Sequence, residues 1–406
     1  MTYIQQRLFE LKPTFLVHSA SYKQTLFSLW LGDVLASLRA MPANSVHVVF
    51  FSPPYWMIKD YGHPDQWGQE PTLAAHIANI LALFAELRRV LHPTGTVWMN
   101  YQDVCSQNGK KTTPEEMEGF IRRQAEYEYQ TSQFGKRQWQ RAAGTAKASG
   151  IKAKNMLQIP QRLSLAIQDT GWFLRGEIIW EKPNCNSEGV RDRPSRSHEM
   201  IYMFSRKPQY FYDIHAVRNR QRVEGDGWVH GTQLRSVWKI PAAPSKSGHP
   251  ATFPLELPRR GVLLGSSHLG CCPECLHPVR PVYEPGEPDL RAQRACGGNA
   301  AGEYHGKGKR DYSATNSQDP SDVKRRRLKS LRPWRLCGAR ATCRCLRNAD
   351  HAIPCTILDP FSGEGTTGRA ALMNGRAYVG IEIVEKHAQW QVDNVAPLAG
   401  LLERLR

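Results

Sequence analysis

The stretch Asp359-Pro360-Phe361-Ser362-Gly363-Glu364-Gly365-Thr366-Thr367-Gly368 follows a short apolar run (356–358) and precedes a helix-like segment. Gly363, Gly365 and Gly368 satisfy G-x-G-x-x-G, a turn whose glycines let the backbone approach a nucleoside-bearing ligand where a strand gives way to a helix. Glu382 lies near the end of the next apolar run (377–383), 19 residues after Gly363, at the spacing where an acid that accepts ribose hydroxyls belongs. A fold built on such a turn needs several further βα units. Only 38 residues of the sequence follow Gly368, room for one strand and one helix. The other units must come from upstream, so the sheet is predicted to be permuted relative to chain order. That order disfavours a nicotinamide-dependent dehydrogenase and points to another nucleoside cofactor.

The upstream region supplies the units. Strand-like runs occur at 25–31, 46–51, 96–101, 173–180 and 199–205. Leu73, Ile77, Ile80, Leu81, Phe84, Leu87 and Leu91 recur at helical spacing, with His92-Pro93 as the expected stop. The runs 173–180 and 199–205 are joined by a polar loop and are expected to pair. Strands alternating with helices predict a doubly wound α/β sheet. The run 46–51 ends in Ser52-Pro53-Pro54-Tyr55-Trp56 instead of a cap or hairpin turn. Read alone, that is a rigid strand-to-loop corner, since proline fixes φ and offers no N–H.

Taken together, the order Ser52-Pro53-Pro54-Tyr55 before Asp359-Pro-Phe-Ser-Gly-Glu-Gly-Thr-Thr-Gly resembles the β-class DNA amino-methyltransferases. That family places its catalytic motif ahead of its S-adenosylmethionine motif. The segments LGDVLASLRAMPANSV, ELRRVLHPTGTVWMN, WEKPN, HEMIYMFSRKPQYFYD and HPATFPLELPRRGV extend the resemblance over most of 25–265 and 355–395. It implies a circularly permuted Rossmann-like S-adenosylmethionine-dependent methyltransferase sheet with helices on both faces; a small Cys-rich insert interrupts the family's usual short link between HPATFP and DPFSG. It also implies that Phe361, Gly363 and Gly365 line the methionine part of the cofactor, with Asp359 and Thr366 in the same turn. Glu382 would bind the ribose, and Asp33 would contact the adenine, with Phe253 and Pro254 packed nearby. Glu364 departs from the family, which usually has a small residue there, and is expected to point to solvent.

The chemistry of Ser52-Pro53-Pro54-Tyr55 suits an amine substrate. An exocyclic base nitrogen is a poor nucleophile because its lone pair is delocalised into the ring, and it presents two N–H donors. The two prolines delete backbone donors and keep their carbonyls. Bonds accepted by the Ser52 hydroxyl and the Pro53 carbonyl would draw the nitrogen toward sp³ geometry. Tyr55 would stack on a base flipped from the duplex; Trp56 either adds a second surface or sits in the core. C5-cytosine methylation needs a cysteine in a loop after a central strand, and Pro354-Cys355 lies instead at the start of the cofactor strand. In the resembling family Ser at the first position leans toward cytosine N4, and Asp or Asn toward adenine N6. A non-catalytic zinc-containing DNA-binding module is the reading from a different class.

Net charge is +17 with pI near 9.5, which fits a polyanionic partner such as double-stranded DNA. The basic segment 103–155 reads as a surface insertion, either DNA-contacting or simply solvated. Of ten cysteines, seven lie between Cys271 and Cys345 and an eighth is Cys355. That clustering favours a local metal site in a reducing compartment over a disulfide framework. Cys272-Pro-Glu-Cys275 with Cys343-Arg-Cys345 would complete a tetrahedral structural Zn²⁺ site, with Cys271, Cys296, Cys337 and His277 as reserves. Between them lies KRRRLKSLRPWR (324–335), whose arginines could clamp phosphates. The predicted organisation is an N-terminal methyltransferase part (1–265) with a target-recognition segment at 213–246, a Cys-rich insert (266–354) and a C-terminal cofactor part (355–406). The insert is expected to face DNA. The amino terminus shows no signal-peptide pattern and no run reaches membrane length, so a cytoplasmic monomer or homodimer is expected, with a cognate restriction endonuclease as a further partner.

Overall fold

The computed structural model describes residues 14–15, 26–108, 144–185, 188, 190–219, 228–229, 232–243, 253–286, 333–345 and 351–404. Most of the basic segment (109–143), Cys296, residues 324–332 of the arginine-rich run and parts of the expected recognition segment (220–227, 230–231, 244–246) lie outside the described residues.

From the amino end, β1 (Thr14–Phe15) and β2 (Phe27–Leu31) lead to α1 (Val34–Ala40), and β3 (Val46–Phe51) leads to α2 (Leu73–Val90). Next come β4 (Leu91–Tyr101), α3 (Thr145–Ser149), α4 (Ile159–Asp169), β5 (Phe173–Glu181) and β6 (His198–Ser205). The short strands β7 (Arg218–Asn219), β8 (Trp228–Val229), β9 (Thr232–Gln233) and β10 (Val237–Lys239) precede α5 (Glu256–Gly265). The insert contributes β11 (Arg280–Pro285) and β12 (Trp334–Arg340). Then follow β13 (Thr356–Asp359), α6 (Thr366–Leu372), β14 (Ala377–Glu382), α7 (Glu385–Asn394) and α8 (Pro397–Arg404).

Nine of these strands form one sheet in the order β1-β2-β14-β13-β3-β4-β6-β5-β10. β14 and β13 are seated between β2 and β3 and run parallel to both. The permutation expected from the sequence is therefore present. β6 runs antiparallel between β4 and β5, the pairing expected for 173–180 and 199–205. Among the described residues no helix is long and apolar enough to cross a membrane.

β3 (Val-His-Val-Val-Phe-Phe) is buried along its whole length because both faces of the sheet are covered. Val49 and Phe51 pack with α1, α2 and α4 on one face. Val48 and Phe50 pack with α5, α6 and α7 on the other. α2 starts where the Thr72 side chain accepts the Ala75 N–H, and it buries Leu73, Ile80, Phe84 and Leu87 at helical spacing. One boundary differs from the expectation. The helix ends at Val90, and Leu91, His92 and Pro93 already belong to β4. The register with β3 jumps from Val46↔Leu91 to Val48↔Thr96, an irregularity that spares Pro93 a place in the ladder, where it has no N–H to give.

α5 rides unusually close to β3. A Cβ built on Gly261 would lie 2.5 Å from Phe50 Cδ2, and one on Gly265 would lie 2.8 Å from Val48 Cγ2. Both targets are core atoms with nowhere to go. Gly261→Ala should therefore cost about 1–3 kcal/mol through overpacking, read as a lower urea midpoint at unchanged slope; a midpoint at or above wild type would show that the helix can move out freely.

Candidate active site

The glycine turn is held from two sides. Gly363 donates its amide to Glu382 Oε2 at 2.7 Å, while Ile383 and Val384 donate to Oε1 at 3.1 and 2.9 Å. From α7, the Gln391 amide donates to Ser362 Oγ (2.8 Å) and to the Gly363 carbonyl (2.9 Å). Gly365 adopts φ 68°, and a Cβ there would lie 2.8 Å from Gln391 Oε1, so this position must be glycine. Three amides occupy the Glu382 carboxylate, leaving about one of its four acceptor sites open.

Asp33 caps α1 by accepting the Ala36 N–H at 2.8 Å. The neighbouring Gly32 amide donates to the Glu382 carbonyl at 2.8 Å, which brings Asp33 beside Glu382 across the β2–β14 pair. The turn also meets the proline loop. Thr367 Oγ1 donates to the Phe50 carbonyl (3.3 Å), and the Phe361 ring stands 6.0 Å from Phe51.

These elements enclose an open cavity of about 300 Å³, within the size range of small-molecule sites. Ser52, Pro53, Pro54 and Tyr55 line it, and so do Asp33, Phe253, Phe361, Gly363, Thr366 and Glu382. Asp359, Gly365 and Pro254 do not; Gly365 faces Gln391, and Asp359 is buried beneath the turn, accepting the Phe361 N–H at 3.1 Å. One expectation is corrected and one open alternative is decided. Glu364 is buried and lines the cavity instead of pointing to solvent, because the curl through Gly363 (φ 50°) and Gly365 carries it inward. Trp56 is fully buried and donates its indole N–H to the Glu70 carbonyl at 3.0 Å, so it is a core residue and no stacking surface.

Beneath the proline loop lies a buried polar chain. The Trp56 amide donates to Tyr101 Oη (2.9 Å), Tyr101 Oη meets His76 Nε2 (2.8 Å), and His76 Nδ1 meets Glu70 (2.9 Å). Burial is the largest influence on Glu70 and opposes its ionisation, but the bond and charge of His76 together with bonds from its own backbone and from Asn79 outweigh it and hold the carboxyl below its usual range.

Among the cavity residues given no role by the sequence, Asn100, Lys182, Glu199 and Trp67 shape the wall around Tyr55 and Phe361. The Tyr55 hydroxyl donates to Glu199 Oε2 (2.8 Å) and accepts from Asn100 Nδ2 (2.8 Å); Asn100 Nδ2 also reaches Glu199 (2.7 Å), and Lys182 pairs with the other Glu199 oxygen. Asn100 Oδ1 is buried without a partner at the cavity wall. Burial, then the Glu199 charge, pushes the Tyr55 phenol well above its ordinary range, so it stays a neutral donor. Trp67 adds an aromatic wall 5.5 Å from Phe361. Lys182 and Glu199 sit in the WEKPN and HEMIYMF segments; the paired charges were visible there, but only the β5–β6 register shows that they meet.

The cysteine sites separate. Sγ atoms of Cys272, Cys275, Cys343 and Cys345 lie within 4.8 Å of one another, compatible with a tetrahedral ion whose 2.3 Å bonds place sulfurs about 3.8 Å apart. Cys271 instead groups with His47 and Cys355, Cys337 is exposed on β12, and the His277 ring packs on His92. His47 spends both ring nitrogens on backbone groups, so that second group is no ion site. The insert, expected to face DNA, is divided: the knuckle docks at the amino ends of β3 and β4, away from Ser52, whereas β12 pairs with β8 inside the expected recognition segment.

Burial pushes the Asp359 carboxyl up to about 7, the Glu382 charge adding to it while bonds from Thr367 and the Phe361 amide oppose it. The folded pKa thus exceeds the unfolded one. This group's contribution to stability is full below the unfolded value of 3.8 and declines until pH passes about 7. Urea midpoints taken between about pH 5 and 8 should fall for the wild type relative to Asp359→Asn; parallel midpoints would refute a neutral buried carboxyl.

A family model described as DNA methylase matches residues 46–270 and 355–392. The chain is 38% identical over 235 residues to the Type II methyltransferase M.XycI of Xanthomonas campestris pv. cyanopsidis, covering 57% of this chain and 70% of that one. It is 35% identical over 236 residues to the Type II methyltransferase M.Cfr9I of Citrobacter freundii, covering 58% and 71%. Among solved structures, the PvuII DNA methyltransferase (cytosine-N4-specific) aligns over 94% of this chain and 93% of that one, at 13% identity and a TM-score of 0.49. The family match covers more than half of the chain and takes in both the Ser-Pro-Pro-Tyr loop and the glycine turn: this chain belongs to the N6/N4 DNA methylases, enzymes that methylate DNA base amino groups.

Proposed function

We propose that the enzyme transfers a methyl group from S-adenosylmethionine to the exocyclic nitrogen of a base flipped out of double-stranded DNA, with cytosine N4 favoured over adenine N6. The observation that carries this reading is that the Ser52–Tyr55 loop and the Gly363/Glu382 turn wall the same cavity. S-adenosylmethionine, when bound, supplies a methyl group made electrophilic by its sulfonium. Glu382, fixed by three amides, offers an acceptor to a ribose hydroxyl, and Asp33 beside it serves the adenine side. Ser52 Oγ and the Pro53 carbonyl accept hydrogen bonds from the two amine N–H groups, one of whose protons leaves to solvent as the methyl group bonds to nitrogen and the thioether departs. Tyr55, its hydroxyl tethered to Glu199 and Asn100, offers its ring to the flipped base. Alignment of amine and methyl group in a site that needs no covalent enzyme intermediate supplies much of the acceleration. The choice of cytosine rests on Ser52.

Residues 1–265 and 355–406 act as one methyltransferase domain in this reading, with 266–354 inserted. The interruption of the family match between 270 and 355 supports that division. Residues 213–246 read the target sequence, supported by the β8–β12 pairing that widens this surface. Cys272, Cys275, Cys343 and Cys345 are the donor set for a structural Zn²⁺. The type II character of the relatives supports a restriction endonuclease as working partner, in the cytoplasm.

Unmethylated plasmid incubated with the protein and S-adenosylmethionine, then digested to nucleosides, should yield N4-methylcytosine by mass spectrometry. N6-methyladenine would keep the mechanism and reverse the base assignment, and no methylated nucleoside on DNA of varied sequence would sink the reading. Tyr55→Ala should lower product formation about 10- to 100-fold through lost stacking, while duplex affinity, dominated by phosphate contacts, changes little.

A further inference from the structure

The four-cysteine knuckle is tied to the catalytic sheet at consecutive residues. The Leu276 carbonyl, directly after Cys275, accepts a hydrogen bond from His47 Nε2 on β3 at 2.7 Å. His92 on β4 is hydrogen-bonded to the Cys275 backbone, and the His277 ring stands edge-on to His92 with centroids 4.8 Å apart. The other nitrogen of His47 is engaged as well. Nδ1 accepts the amide of Thr356, the first residue of β13, at 3.0 Å. An imidazole that accepts at Nδ1 must carry its proton on Nε2, so the two bonds fix one tautomer. One buried ring therefore joins the knuckle to the strand that carries the cofactor turn.

The segment leading into β13 is fastened in the same place. Cys271 and Ile353 exchange two backbone hydrogen bonds, 2.8 and 2.9 Å, beside the first knuckle half. Thr342 Oγ1 donates to the Pro278 carbonyl at 2.7 Å, closing the second half against the first. His47 and His92 lie at the amino ends of their strands. Ser52 follows the opposite end of β3, about 16 Å away at 3.3 Å per residue. A metal there is too far to touch a ligand beside Ser52, and its path to the glycine turn runs through His47 to β13.

We propose that zinc held by Cys272, Cys275, Cys343 and Cys345 is a strut for the cofactor site: by ordering the knuckle against His47 it sets β13 in register beside β3, and so governs the affinity for S-adenosylmethionine. Metal binding supplies ordering free energy to a segment whose own apolar cluster is small, centred on Cys272 and Val279. His47 is a positioning residue in this scheme. The proposal rests on the methyltransferase reading above.

The test uses the full-length protein and measures metal content, S-adenosylmethionine binding by calorimetry and duplex-DNA binding by anisotropy. The purified protein should carry one zinc per chain. Stripping it with a chelator should weaken cofactor binding about tenfold or more, the scale of a lost hydrogen bond or two; added zinc should restore it, and DNA affinity should stay nearly constant. His47→Leu should keep its zinc yet bind the cofactor about tenfold more weakly. His47→Gln, whose amide can both accept from Thr356 and donate to Leu276, should recover most of the loss. Unchanged cofactor affinity in the stripped protein or in His47→Leu, or a protein that binds no zinc, overturns the strut. Zinc-loaded wild type that binds no S-adenosylmethionine overturns the function on which it rests.

Discussion

Parallel pairing of β13 with β3 is the contact on which the rest of the molecule depends. Two residue pairs, Ile357↔Val48 and Leu358↔Val49, lay the strand that carries the glycine turn beside the strand that carries the proline loop. Both loops leave the same ends of parallel strands, which is where α/β sheets place their ligands. The pairing is buried on both faces, so it cannot slip: a one-residue shift would exchange Val48 and Phe50 with Val49 and Phe51 across two differently shaped cores. Gly261 and Gly265 bring α5 down onto this ladder, and the Thr367 hydroxyl ties α6 to the Phe50 carbonyl near the end of β3.

Charge is divided between the outside of the molecule and its site. The sequence is strongly basic, as suits contact with a phosphate backbone. The cavity is acceptor-rich, with Glu382, Glu364, Glu199 and Asp33 on its wall and Lys182 committed to Glu199. Three of these carboxylates are fixed by specific donors: amides for Glu382, a helix amide for Asp33, and a phenol, an amide side chain and an ammonium for Glu199. Such preorganised acceptors suit an amine and a ribose, because they need no reorganisation when the ligand arrives.

The permuted sheet was legible in the sequence because two unrelated signals agreed: a glycine turn near the end of the given residues and a set of apolar runs upstream. The proline loop was legible because deletion of two N–H donors is chemistry visible in residue type alone. What escaped was whatever depends on register. Lys182 and Glu199 are 17 residues apart and meet only because β5 and β6 pair antiparallel. Glu364 looked solvent-bound since a charged residue in a loop usually is, and only the curl of the turn carries it inside. The four cysteines were chosen from spacing and do converge, but spacing held no hint that a histidine in β3 would bond the Leu276 carbonyl beside them.

The bond between His47 and Thr356 spans 309 residues of sequence. During synthesis at 5–20 residues per second, β3 leaves the ribosome about 15–60 s before the strand that covers its edge. For that interval Val-His-Val-Val-Phe-Phe is an unsatisfied strand edge of high β-propensity, the kind of segment that recruits other chains. The centre of this sheet is the last part to close. Its assembly requires loop closure over most of the molecule, and contacts of such long sequence separation are the ones that slow folding, so the nascent core stays open until the last strands of the sheet are made.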